Sequence, residues 1–301
     1  MNQPTWHILG FGAIGQILHG GFAQEGQRCK VIVKHGWDES DTHRVTRDGQ
    51  TREIPIEWVK ASDTGAIAHL LVCTKSYDAI EAIQSVSESL NADSHIIILI
   101  NGMLDAEDVR AASRGANLYW GLTTEGGYRT STLHTVHAGT GLTKIGGGPR
   151  PAWFDLWTKA HPRSEWVADI EPHRWEKLCI NAAINPLTAL NACQNGALVH
   201  EPLFQTTNEL ITELSMLLRA HGYEHLAKAF PTACRRVIEQ TASNQSSMYQ
   251  DTQHLKKTEI DLIVPPLLRF ARARNIATPV LNKIYDEFIS QFGPSSTQAQ
   301  D

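Results

Sequence analysis

An apolar run, Trp6–Leu9, passes straight into Gly10-Phe11-Gly12-Ala13-Ile14-Gly15, and an amphipathic stretch follows to Gln24. Glycines at this spacing between a strand and a helix leave few folds open. The first allows a turn too tight for a side chain. The second leaves the backbone bare for close approach of a pyrophosphate, and the third lets the helix press on the strand. The first amides of such a helix have no partner within it and stand ready to donate to phosphate. A strand–helix corner without a ligand would use the same glycines, but the strand before and the helix after favour a dinucleotide turn.

The same alternation continues. Residues 29–33, 70–74, 95–100 and 118–122 read as strands, and 12–24 and 78–90 as helices. Strands spaced by helices predict βαβ units and a parallel sheet. Residues 132–145, rich in Thr, Val, His and Gly, read as antiparallel strands, and GGGPRP at 146–151 is a breaker. From about Pro172 the apolar residues recur at helical spacing over 175–193, 202–221, 231–242, 255–275 and 280–292. The tail from 293 is polar. The chain therefore reads as an α/β Rossmann-type N-terminal domain with a mostly parallel sheet, followed by an all-α domain. The boundary falls between 150 and 172, giving domains 1–168 and 169–301.

Charge and cysteine content narrow the class. The formal net charge is −5, which favours neither a nucleic acid nor an anionic membrane as partner. The longest strongly apolar stretch, 96–100, is far short of a membrane span, and the first residues have no basic and apolar signal-peptide pattern. The five cysteines are odd in number, contain no C-x-x-C pair and several sit in apolar segments, so reduced thiols and a cytoplasmic location are expected. His221 and His225, and His134 and His137, have ligand-like spacing without further ligands beside them, so no metal is expected.

The end of the second strand bears on the cofactor. Val33 leads to Lys34-His35, with no acid to bind a ribose hydroxyl. A cation there suits a 2′-phosphate, which predicts NADP rather than NAD; a solvated lysine is the alternative. No second flavin motif accompanies the turn.

Two later segments carry polar groups on apolar helices. Lys177, Asn181 and Asn185 lie at i, i+4 and i+8, one stripe that Thr188 extends, among Leu, Cys, Ile and Ala. Such a stripe is either a solvated face or a set of groups that needs polar partners, because an unpaired buried amide or ammonium costs several kcal/mol. Glu259 falls with Leu255, Leu262 and Ile263 on an apolar face, where a carboxylate needs a partner such as Lys177 or a substrate hydroxyl.

These residues carry a family resemblance. The glycine turn, Cys73-Thr74-Lys75, Asn101-Gly102-Met103, KLCINAAINPLTAL at 177–190, Asn195-Gly196, SSMYQD at 246–251 and TEID at 258–261 occur in this order over roughly residues 5–290. In this the chain resembles the ketopantoate reductases (2-dehydropantoate 2-reductases). The resemblance implies reduction of 2-dehydropantoate to pantoate with NADPH, on the route to pantothenate and coenzyme A. It implies that Lys177 is the general acid and Glu259 a catalytic and substrate-binding carboxylate. Asn101, Asn181, Asn185, Asn195 and Ser247 would hold the substrate. Gly10, Phe11, Gly12, Ala13, Ile14 and Gly15 would hold the cofactor's phosphates and Lys34 its 2′-phosphate. Lys75, Asn101 and Glu259 would lie by the cofactor and the reacting centre. A small 2-keto acid is the expected partner, with a homodimer left open.

The chain departs from the family pattern in places. Lys34 stands where arginine is common, and lysine lacks the bidentate fork. Glu125-Gly126-Gly127 is atypical. Val264-Pro265-Pro266 follows TEID where Asn-Gly is usual, and two prolines are expected to break or kink that helix. The site is expected in a cleft between the domains, at the C-terminal ends of the strands. Rival readings are a reductase for another 2-keto or 3-keto acid and a non-catalytic dinucleotide sensor.

Overall fold

The computed structural model describes residues 4–33 and 40–293. The chain divides into two compact units: Met1–Ile100 with Leu104–Ile170, and Asn101–Met103 with Glu171–Asp301.

In the first unit the elements run β1 Trp6–Leu9, α1 Ala13–Gln24, β2 Cys29–Val33, β3 Thr42–Arg47, β4 Gln50–Pro55, β5 Glu57–Lys60, β6 His69–Val72, α2 Ala79–Ser85, β7 His95–Leu99, α3 Ala106–Ala112, β8 Asn117–Thr123, β9 Gly126–Ser131, β10 His134–Gly139, β11 Thr143–Gly146, α4 Phe154–Ala160 and β12 Ser164–Val167. Eight strands form one sheet in the order β12-β11-β8-β7-β6-β1-β2-β5. Every pairing in it is parallel except β11 against β8. Strands β1 and β6 are buried throughout and β7 nearly so, as parallel strands covered on both faces must be. Alternate residues point to one face, so Trp6, Ile8, Leu71, Ile97 and Tyr119 share a core with Phe22, Trp153 and Trp157. Trp6 stacks on Phe22 at 4.8 Å.

Strand order reverses at β1, which has β2 on one side and β6 on the other. The crevice at the C-terminal ends of such strands is where open α/β sheets bind ligands. The glycine turn leaves β1 at this point, and Cys73-Thr74-Lys75 leaves β6 beside it: Cys73 N–H donates to the Leu9 carbonyl at 2.7 Å.

Strands β3–β5 fall where no strand is expected. Their burial patterns are largely exposed, so no apolar alternation announces them. The turn Asp48-Gly49 does: both residues have positive φ, 51° and 75°, the geometry of a two-residue hairpin. A second sheet, β4-β3-β10-β9, results. It is fastened to α1 by Gln16, which is fully buried. Gln16 Nε2 donates to the carbonyls of Phe11 and Thr132, and its Oε1 accepts from Thr135 Oγ1 at 2.8 Å. The expected antiparallel character of 132–145 is present in β9–β10 and in β11 against β8. Helices α3 and α4 and strand β12 are further elements without a counterpart in the sequence expectations.

The second unit is helical: α5 Glu171–Leu190, α6 Phe204–Ala220, α7 Glu224–Gln240, α8 Ser247–Gln253, α9 Ile260–Ala273 and α10 Pro279–Phe292. Leu210, Leu214, Leu217 and Leu218 on α6, and Leu281, Ile284 and Phe288 on α10, are buried at helical spacing. Glu213 on α6 is buried because it caps α10: its carboxylate accepts from the Val280 and Leu281 amides at 2.8 and 2.9 Å. His221, read above for its ligand-like spacing, packs its ring against Trp175 and Tyr223 at 4.4 Å and against Phe270 at 5.0 Å.

Prolines do not end these helices. Helix α7 begins at Glu224 and runs through Pro231, where a helix start is expected. Helix α9 runs unbroken through Pro265 and Pro266, which corrects the expected break. Its C-terminal end is set instead by Asn275 at φ 54°, a left-handed conformation that no helix interior accommodates; Leu255, also at φ 54°, stops α8 in the same way and separates it from α9. Helix α8, seven residues long, is too short to show a periodicity.

Candidate active site

The glycine turn in the first unit has a distinct reason for each glycine. Gly10 has φ 93°, and a Cβ there would lie 2.4–2.6 Å from the backbone of Cys73 and Thr74. At Gly15 a Cβ would lie 2.2 Å from the Gly10 carbonyl, so the helix can close on the strand only without a side chain. At Gly12 a Cβ would meet nothing within 4 Å. Packing within the described residues therefore does not demand a glycine at that position. Gly12 is the N-cap of α1 and offers no side-chain acceptor, so the amides of Ala13 and Ile14 keep their donors unmet by a cap. Thr74 adds a hydroxyl that is buried without a hydrogen-bond partner, next to Gly10. In the sequence Thr74 stands out only as the middle residue of Cys73-Thr74-Lys75, and Gln16 only as a polar residue in an apolar segment. Lys75 is half-buried at the end of this loop. Lys34, the candidate for the 2′-phosphate, lies outside the described residues.

In the second unit the stripe on α5 is not a solvated face. Asn185 and Thr188 are buried, and Lys177 and Asn181 are half-buried. Burial lowers the Lys177 pKa from 10.5 to about 8, and the negative charge of Glu259 acts in the opposite sense, favouring the ammonium. The lysine is thereby mostly protonated at neutral pH yet able to release its proton. Glu259 is buried at the N-cap of α9, where its side chain makes no capping bond. Asn101 Nδ2 donates to Glu259 Oε2 at a long 3.5 Å. Lys177, Glu259 and Asn101 thus form one group.

The remaining predicted residues are placed around this unit. Asn195 is buried, and its Nδ2 donates to Thr241 Oγ1 at 2.9 Å. That hydroxyl donates in turn to the Val237 carbonyl at 2.7 Å, so it can only accept from Asn195. The amide orientation is fixed, and Asn195 Oδ1 is a buried acceptor without a partner. Ser247 is exposed at the first turn of α8. Its neighbour Ser246 is buried, lies 2.7 Å from Thr188 Oγ1 and caps α8 by accepting from Tyr249 N–H at 3.1 Å. Ser246 thereby anchors the α8 start to α5, a role the adjacent serines in sequence do not distinguish.

A dinucleotide-type turn on a parallel sheet, joined in one chain to a helical unit holding a desolvated lysine and a buried carboxylate, is the plan of the two-domain oxidoreductases. Within that class, residues 6–150 match the family model described as Ketopantoate reductase PanE/ApbA, and residues 169–290 match Ketopantoate reductase PanE/ApbA C terminal. The chain is 30% identical over 287 residues to a 2-dehydropantoate 2-reductase of Shigella flexneri, covering 93% of this chain and 92% of that one. The chain belongs to the ketopantoate reductase family, a family of oxidoreductases. In fold it is similar to a PanE/ApbA family ketopantoate reductase of Ralstonia eutropha, with a TM-score of 0.85 at 22% identity over 98% of this chain and 99% of that one. It is equally similar in fold to a D-mandelate dehydrogenase solved with NADH and anilino(oxo)acetate, with a TM-score of 0.86 at 18% identity over 98% and 99% of the two chains.

Among the described residues no group of His, Cys, Asp and Glu is arranged to hold a metal ion, and no helix is long and apolar enough to cross a membrane.

Proposed function

We propose that this chain reduces 2-dehydropantoate to pantoate with NADPH, a reaction of pantothenate and coenzyme A biosynthesis. The observation that carries the reading is Lys177, brought to a pKa of about 8 by burial and kept cationic by Glu259. Family membership and the bare cradle at Gly12 support it.

The residues at the glycine turn fit a dinucleotide: Gly10 to Gly15 would hold its phosphates, with Lys75 beside them and Lys34 toward a 2′-phosphate. When bound, NADPH supplies a hydride to the keto carbon. As negative charge grows on the carbonyl oxygen, Lys177 Nζ polarises that oxygen and then gives it a proton. Glu259 holds the ammonium form of Lys177 and accepts the substrate's hydroxyl. Asn195 Oδ1, an acceptor in want of a donor, suits a hydroxyl as well. Asn101, Asn181, Asn185 and Ser247 offer donors to the substrate carboxylate without a further charge.

The test is to mix the protein with NADPH and ketopantoate and to follow the reduced nicotinamide by its absorbance. NADH in place of NADPH, and benzoylformate in place of ketopantoate, run in parallel. Rapid oxidation preferring NADPH and ketopantoate is expected. Turnover of benzoylformate alone would transfer the reading to another 2-keto acid, and NADPH binding without any turnover would leave a sensor.

A further inference from the structure

The tripeptide Asn101-Gly102-Met103 lies between β7 and α3 in sequence yet belongs to the helical unit. It runs along the first turn of α9. Asn101 meets Glu259, and Met103 N–H donates to the Leu262 carbonyl at 2.7 Å. Gly102 has φ 80°, and a Cβ there would lie 2.7 Å from that same carbonyl oxygen, so only glycine admits the approach. The Met103 side chain packs on the helical core.

A carbonyl inside a helix is ordinarily taken by the amide four residues on. For Leu262 that residue is Pro266, which lies within α9 and has no N–H to donate. The proline ring also crowds the carbonyl of the residue four before it and tilts it outward. Both effects leave the Leu262 oxygen without an intrahelical donor, and Met103 N–H is a donor that reaches it. We propose that Pro266 is a positioning residue for Asn101: it reserves the Leu262 carbonyl for Met103 N–H and so holds Asn101 against Glu259. The two prolines are then not equivalent, since Pro265 stands opposite the carbonyl of Asp261 rather than Leu262. The role of Asn101 and Glu259 in turnover rests on the function proposed above; the docking of 101–103 does not.

The paired variants Pro266→Ala and Pro265→Ala test this. Each restores one helix N–H, so neither is expected to lower the thermal midpoint, alanine being the better helix former. In Pro266→Ala the new amide competes for the Leu262 oxygen. Hydrogen exchange at the Met103 amide is expected to quicken at least about tenfold, and kcat for keto-acid reduction to fall about tenfold, as small misplacements of a substrate-positioning group do. Pro265→Ala is expected to leave both within about twofold of wild type on the same principle. Unchanged Met103 exchange in Pro266→Ala, or equal losses in the two variants, would overturn the proposal. Should wild type turn over no keto acid, the reading of function fails, and the Met103 exchange comparison still decides whether Pro266 docks the tripeptide.

Discussion

Gly10 and Gly102 make the same kind of contact in two different units. Each has positive φ, 93° and 80°, and each brings bare backbone against another backbone where a Cβ would collide. At Gly10 the opposing backbone is Cys73-Thr74, and the glycine belongs to a contiguous motif whose spacing announces it. At Gly102 the opposing group is the Leu262 carbonyl, far along the chain, and nothing within a few residues of Gly102 foretells it. A backbone cradle is a local device, written in neighbouring glycines. The lysine–carboxylate group is assembled from three distant segments, and its chemistry comes from desolvation that only packing supplies. Adding a side chain in the first region and removing a charge in the second should therefore have opposite signatures.

The largest effect is expected at Lys177. Lys177→Ala should lower kcat by about 10² to 10⁴, the range of general acid–base assistance. Its stability should not fall. The folded pKa, about 8, lies below the unfolded value of 10.5. The unfolded state therefore binds more protons between these pH values, and stability rises with pH through that window. At neutral pH the ammonium opposes folding in full, and removing it relieves that cost. Steady-state kinetics with thermal melts at pH 7 check both parts; a large loss of stability with kcat retained would make Lys177 a structural group rather than a proton donor.

The glycine turn should behave the other way. Gly10→Ala must fit a Cβ against backbone at positive φ, and is expected to cost about 2–4 kcal/mol of stability, as overpacking and backbone strain together do. Gly12→Ala has open space around it and should leave the thermal midpoint unchanged while weakening dinucleotide binding. Denaturant melts and NADPH titrations of the two variants separate the roles; equal destabilisation would remove Gly12 from the cradle.

The smallest effect sharpens the second region alone. If Lys177 donates the proton, the reduction rate should decline as pH rises through about 8, falling about tenfold between pH 7 and pH 9 as the ammonium is lost. A flat profile across that range would take the proton donor elsewhere.

The path from residues to structure was uneven for the same reason. The parallel strands β1, β2, β6, β7 and β8 stand within a residue or two of the apolar runs that marked them. The polar strands β3 and β4 left no such trace, since their side chains face water on most positions. In α9 a neighbouring segment supplies the hydrogen bond that Pro266 cannot, so a rule based on the lone helix fails once tertiary partners exist. The stripe from Lys177 to Thr188 was legible as a stripe but not as buried or exposed, because both faces of a helix share one periodicity.

The amino-acid order by itself determined the dinucleotide-type turn, the alternation that makes the parallel sheet, and the change to helices near residue 170. Each depends on contacts within a strand, a turn or a helix face. Tertiary structure decided that Lys177 loses its water beside Glu259, that Asn195 keeps one acceptor unpaired, and that Pro266 leaves a carbonyl for Met103. Desolvation and hydrogen-bond satisfaction depend on every group that packs around an atom, and those groups are remote in sequence.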